Sequence, residues 1–277
     1  MATKVTARVG NGLIGRSATA LLAAGWLTGC GTPATADHTT AGPAVLATPT
    51  AAADGPGVSA VPTPVRSAPA AIDYPADGGN RWQVAAGEPA IPGGAGRLLR
   101  YRVAVERDIR GLPVAEFAAE VGGTLNAPQG WTTDGTRLRR VGPDRPADFT
   151  VYLATPGTRD ALCGDVADGY TSCRNGDRVV VNVARWVKGV PGYGASLATY
   201  RRYVINHEVG HRLGRGHERC PGRGRPAPVM QQQTLGLHGC LANASPYRGG
   251  VRYSGPVGSY TDEVPPRDPG RQEGHRG

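Results

Sequence analysis

The chain is expected to fold as a mixed α+β domain, and three stretches predict it. LLRYRVAVE (98–106) alternates apolar and polar residues and carries Val and Tyr, as a half-buried strand does. YTSCRNGDRVVVNV (170–183) sets Asn175-Gly176 between two strand-like runs, which predicts a hairpin with a type I′ turn. GASLATYRRYVINHEVGHRLG (194–214) reads as one long helix with Ser196 as its N-cap. Strands, a hairpin and a helix together exclude the all-α and all-β classes, and leave α+β and mixed α/β.

Taken in chain order, Lys4, Arg8 and Arg16 form a basic region around the start of an apolar run, SATALLAAGWL (17–27). That run is too short to span a bilayer as a stable helix, and reads as an export signal. It leads into Leu27-Thr28-Gly29-Cys30, which resembles the bacterial lipobox, where the cysteine receives a diacylglycerol. Residues 1–30 are therefore read as a signal peptide with lipidation at Cys30. The alternative is an ordinary cleaved signal and full secretion. Residues 31–96 are almost all Ala, Thr, Pro, Gly and Val, with Tyr74 and Trp82 as the only aromatics. Such a composition cannot offset its ordering entropy, so a disordered tether is expected. Its reach would be roughly 40 Å.

Residues 97–250 hold most of the aromatics and are expected to form the catalytic domain. After the strand at 98–106, Val114, Phe117, Ala118 and Val121 recur at helical spacing within 112–126, with Pro113 suited to the first turn. RLRRV (137–141) and DFTVYLA (148–154) read as further strands. Residues 251–277 are expected to be a flexible tail. With Cys30 set aside, Cys163, Cys173, Cys220 and Cys240 remain, and an even number in an exported chain implies two disulfides. Three connectivities are open; the sequence-local pairing, Cys163–Cys173 and Cys220–Cys240, is adopted. The second bridge would contribute about 3 kcal/mol. The formal net charge of +9 rests on scattered arginines, Lys4 and Lys188 being the only lysines. No helix-turn-helix, zinc-finger or aromatic-basic pattern accompanies it, so nucleic acid is not expected as a partner. An anionic wall or membrane surface is.

HEVGHRLGRGH (207–217) concentrates three of the chain's six histidines. On a helix His207 and His211 leave the same face one turn apart, so their imidazoles can meet one metal. Glu208 lies about 100° from His207, beside the pair, where it can touch a water on the metal. A helix continuing past Gly214 would carry His217 away. Glycine can take positive φ, stop the helix and turn the chain back, so that His217 supplies a third nitrogen. Three ligands leave one position open, the mark of a catalytic zinc. The chance expectation of the full spacing is on the order of 10⁻⁵, which sets aside a coincidental His-rich helix.

H-E-x-x-H-x-x-G-x-x-H is the zinc motif of the metzincin metallopeptidases, and the chain resembles that clan. Pro228-Val229-Met230-Gln231 follows His217, and Met230 is the only methionine besides the initiator. The stretch from Tyr200 to Cys240 is also similar to a family of secreted actinobacterial metzincin-like lipoproteins. The resemblance implies a metzincin-like zinc peptidase fold: a mixed twisted sheet, an active-site helix and a Met-turn at Met230 flooring the zinc. It implies Zn2+ on His207, His211 and His217, with Glu208 as general base on zinc-bound water, hydrolysing peptide bonds outside the membrane. It further implies a protein or peptide substrate paired along a sheet edge, for which the 170–174 arm is the candidate. Where some metzincins place a tyrosine two residues after the methionine, this chain has Gln232, and neither Tyr247 nor Tyr253 can be chosen in its stead. Two other readings stand: a non-catalytic wall-associated module that keeps the fold, and a zinc hydrolase of peptidoglycan peptide stems.

Overall fold

The computed structural model describes residues 71–89, 95–164 and 166–271. The expected signal peptide, Cys30 and the tether up to residue 70 lie outside the described residues, as does 272–277.

A six-stranded mixed sheet organises the chain. Its strands are β1 (Trp82–Val84), β2 (Leu98–Glu106), β3 (Arg137–Arg140), β4 (Phe149–Ala154), β5 (Cys173–Asn175) and β6 (Arg178–Asn182). The main path runs β1-β2-β4-β6-β5, and β3 also pairs β2. Strands β2, β3, β4 and β6 run parallel, while β1 and β5 close the two ends antiparallel. Among the described residues four α-helices accompany them, α1 (Val114–Leu125), α2 (Pro156–Cys163), α3 (Val183–Lys188) and α4 (Leu197–Arg212), with one 3-10 turn at Trp131–Asp134. A short hairpin, β7 (Tyr247–Arg248) and β8 (Val251–Arg252), follows α4. The chain is an α+β protein with a mixed sheet.

The pleat divides the sheet's faces. Val103, Val151, Leu153, Val179 and Val181 join Phe117, Val121, Trp186, Ile205 and Val209 in the main core, which sets α1, α3 and α4 on one face. Ala154 and Val180 turn the other way, onto Cys163 and Cys173, with Trp82, Tyr152 and Leu162 packed around them. The Cys163–Cys173 disulfide thus fastens α2 to the edge strand β5, and Cys220–Cys240 closes the second expected bridge. Two disulfides mark a protein of an oxidising, non-cytoplasmic compartment. Among the described residues no helix is long and apolar enough to cross a membrane.

Three expectations need correction. The packed part starts well before residue 97. Tyr74 is buried, Trp82 lies edge-on to Tyr152 at 4.6 Å, and the Asn80 N–H donates to the buried Glu106 carboxylate at 2.8 Å. Two aromatics and one buried acid fix a segment whose average composition is that of a linker. The segment after 250 is also held rather than loose up to residue 271. Asp268 is buried and pairs with Arg185 at 3.2 Å and Lys188 at 2.8 Å, and the Arg271 N–H reaches the Tyr74 carbonyl at 2.7 Å. Finally, Asn175 pairs Arg178, so the hairpin loop is Gly176-Asp177. Gly176 has φ +60° and Asp177 is not among the positive-φ residues, which suits a type II′ turn with glycine first.

Candidate metal centre

Helix α4 begins as its sequence suggests, with the Ser196 hydroxyl accepting the Thr199 N–H at 3.2 Å. Its last two turns are buried on nearly every side. Ile205 and Val209 face the sheet core, while the Trp131 indole N–H donates to the Asn206 carbonyl at 2.8 Å and the Asn206 amide donates to Ala244 at 2.8 Å. Gly210 makes this possible: a Cβ there would lie 2.4 Å from the Met230 sulfur and 2.8 Å from the Trp131 ring. Helix α4 ends in a Schellman motif. Gly214, at φ +83°, donates its N–H to His211 O at 3.0 Å, and Arg215 donates to Gly210 O at 2.9 Å. The chain then doubles back and carries His217 to the other two imidazoles.

The three rings converge through Nε2. His211 Nε2 stands 3.1 Å from His207 Nε2 and 3.1 Å from His217 Nε2, and the ligand atoms all lie within 4.8 Å of one another. Tetrahedral zinc with Zn–N bonds of about 2.0–2.1 Å has a ligand–ligand edge of roughly 3.3 Å. Each Nδ1 is engaged from behind: His207 by the Val229 carbonyl at 2.8 Å, His211 by the Arg215 carbonyl at 2.8 Å, His217 by the Ser259 hydroxyl at 3.0 Å. A carbonyl can only accept, so His207 and His211 carry their protons on Nδ1 and present bare Nε2 lone pairs to each other. Facing lone pairs at that distance repel unless a cation lies between them. These residues therefore fit a metal ion, and the trio could hold one.

The surroundings keep the rings neutral. Burial, then the neighbouring charges of His211 and His217, hold His207 well below the ordinary imidazole range. Burial also lowers His211, assisted by Arg174 and opposed by the Arg215 carbonyl. Burial and His211 bring His217 down to about 4. Neutral imidazole is the form that binds metal.

A cleft of about 400 Å³ opens over the trio. Glu208, only 5% exposed, lines it beside the histidines. Thr171, Ser172, Cys173 and Arg174 line it too, so residues 171–174 of the 170–174 arm share the cleft with the histidines, at the β5 end of the sheet. Gln232 lines the cleft as well. Tyr247 and Tyr253 do not: Tyr247 packs on Trp131, and the Tyr253 hydroxyl donates to the Pro226 carbonyl at 2.9 Å. Met230 is fully buried in a turn closed by Gln231 N–H to Pro228 O at 3.0 Å, inside the loop spanned by Cys220–Cys240. That turn supplies the Val229 carbonyl to His207.

Several site residues escaped the sequence. Ser259 is forty-two positions from His217, and no local pattern links them. It is delivered by backbone pairing, since the Gly258 N–H donates to His217 O at 3.0 Å and Glu218 bridges Val257. Gln233 braces the methionine turn, donating to Pro228 O at 3.1 Å and Asn243 O at 2.8 Å. Tyr203, one helical turn before His207, lines the cleft and donates to Gln231 O at 3.1 Å. A tyrosine four residues ahead of a ligand was the one available signal.

A family model described as Protein of unknown function (DUF3152) matches residues 68–244, a span that contains all three histidines, Glu208, Met230 and both disulfides. No curated protein and no solved structure matches the chain.

Proposed function

The chain belongs to the DUF3152 family of proteins of unknown function, and from its own residues we propose that it is a zinc-dependent metallopeptidase acting outside the membrane. One observation carries this reading: three Nε2 atoms converge with their Nδ1 atoms held from behind, and a buried glutamate lies next to them in an open cleft. Three nitrogen donors favour zinc among the common ions, and a zinc ion there would polarise a carbonyl and acidify a water. The remaining steps belong to the protein. The Glu208 carboxylate takes a proton as water oxygen adds to the scissile carbonyl carbon, then delivers that proton to the amine nitrogen as the C–N bond breaks. Val229, Arg215 and Ser259 keep the imidazoles aimed while this happens. The 170–174 arm, at the sheet's edge, would accept an extended peptide strand. Met230 beneath Gly210 serves as the apolar floor that the metzincin resemblance implies. Lipidation at Cys30 would hold the enzyme at the outer membrane surface, near wall material.

Glu208→Gln tests the reading. Metal content by elemental analysis should stay at about one ion per chain, as in the parent, while cleavage of a peptide library is lost. Equal cleavage by the variant would remove Glu208 as the base. A metal-replete parent that cleaves neither peptides nor purified peptidoglycan would leave only a binding module.

A further inference from the structure

The sheet carries a second concavity, on the side away from the main core. The alternation that sends Leu99, Tyr101 and Leu138 inward sends Arg100, Arg102 and Arg139 to the opposite face. The parallel register sets Arg100 directly beside Arg139. Like charges opposite one another on paired strands disfavour folding by themselves. The loop before β4 adds Arg145, whose carbonyl accepts from Arg102 Nη2 at 2.5 Å. Arg100, Arg139 and Arg145 border a groove of about 540 Å³, which Arg140 also lines although its guanidinium donates to the Ala86 and Ala118 carbonyls. Its backbone walls meet closely at one point, where a Cβ on Gly87 would lie 2.8 Å from the Gly142 nitrogen. None of its lining residues lines the histidine cleft.

The charge is unbalanced. Among the described residues no carboxylate lies within ion-pair distance of Arg100, Arg102, Arg139 or Arg145. Glu88 is the groove's one acidic lining residue and accepts the Arg140 backbone N–H at 2.7 Å, and the neighbouring Asp148 carboxylate accepts the Arg100 backbone N–H at 2.6 Å, so both acids are turned to backbone rather than to a guanidinium. The Nε atoms of Arg102 and Arg139 are enclosed without an acceptor among the described residues. Outside the described residues the sequence carries four acids, Asp37, Asp54, Asp165 and Glu273.

We propose that this groove binds a phosphate group, as carried by a phosphate ester. Guanidinium forks match the oxygens of a tetrahedral anion in pairs, which is what several arginines lining one groove offer and scattered ones do not. The groove is concave and of small-ligand size, which favours a discrete phosphate over a flat bilayer surface. The inference is independent of the peptidase reading.

Titration calorimetry on the full chain, with inorganic pyrophosphate as probe, tests it. Saturable binding is expected, and Arg100→Gln with Arg139→Gln should weaken it by about tenfold or more per guanidinium removed. Arg223→Gln with Arg248→Gln, which removes the same charge elsewhere, should leave it within about twofold. No saturable binding, or an equal loss in this control, overturns the proposal. Binding to phosphatidylglycerol vesicles with none to pyrophosphate also overturns it, in favour of a membrane-facing surface. Should the groove variant not fold, labelling of the parent with an arginine-directed dicarbonyl decides: pyrophosphate must protect Arg100 and Arg139, and unprotected labelling sinks the idea.

Discussion

At the scale of single residues, the imidazoles are governed by what stands behind them. Ser259 has no covalent or sequence tie to the motif, yet it fixes the ring of His217 at 3.0 Å. Losing such a partner typically costs 10–100-fold in metal affinity. If the trio holds zinc as proposed, Ser259→Ala should weaken that binding by about that factor in a chelator competition. A variant with unchanged affinity would reduce Ser259 to a neighbour. Gly214 is the second governing residue. Nothing lies near its would-be Cβ, so the obstacle to a side chain is φ +83° alone. Gly214→Ala is expected to cost about 1–2 kcal/mol in a urea melt. A neutral result would mean that the helix can end another way. The rings also couple stability to pH. Their folded values lie below the unfolded value of 6.5, His217 at about 4, so between these limits the unfolded chain binds more protons. Stability of the metal-free protein should therefore rise from pH 4 to 6.5 and level off above. A urea midpoint that falls over this window would contradict the assignment of neutral rings.

At the scale of elements, β2, β3, β4, α1 and α4 were legible because each repeats one simple pattern. Strand β2 coincides with LLRYRVAVE, and α4 keeps the Ser196 cap. The Asn175-Gly176 signal also made the β5–β6 hairpin legible, with its turn one residue further on; the other short elements were not legible. Helix α3 spans only Val183–Lys188 and runs straight on from β6, with Asn182 closing the strand and capping the helix at 2.9 Å. Helix α2 carries Arg159 inside the protein, held by Thr171 and Asp160, so no apolar stripe announces it. Strand β1 has three residues, too few to show an alternating pattern. In the site, the histidine spacing was legible because one helix and one turn contain it. The supporting atoms were not, because two are backbone carbonyls and the third arrives from a distant segment. A backbone oxygen leaves no mark on residue identity.

At the scale of the whole molecule, the segment from 256 to 271 joins the site to the far side of the core. It offers Ser259 to His217, Val264 to the cleft wall and Asp268 to Arg185 and Lys188. Burial alone would raise the Asp268 pKa. The Lys188 hydrogen bond, the Gly270 N–H and the two cationic charges outweigh it and hold it below 3.8. A depressed carboxylate stabilises the fold above its unfolded pKa, and that contribution drains away as pH falls below about 3.8. Asp268→Asn strands the buried Arg185 guanidinium and should cost about 3 kcal/mol at pH 7, with a shallower loss on acidification. A thermal melt identical to the parent's would mean that this anchor is ornamental. Beyond the anchor, the first and last described stretches lie side by side, through Arg271 to Tyr74 and the Pro75–Gly270 bridge. A linker of a few residues could therefore splice 271 to 71. The chain could then be reopened at Val166, 85% exposed, as a circular permutant that keeps every strand partner and both disulfides.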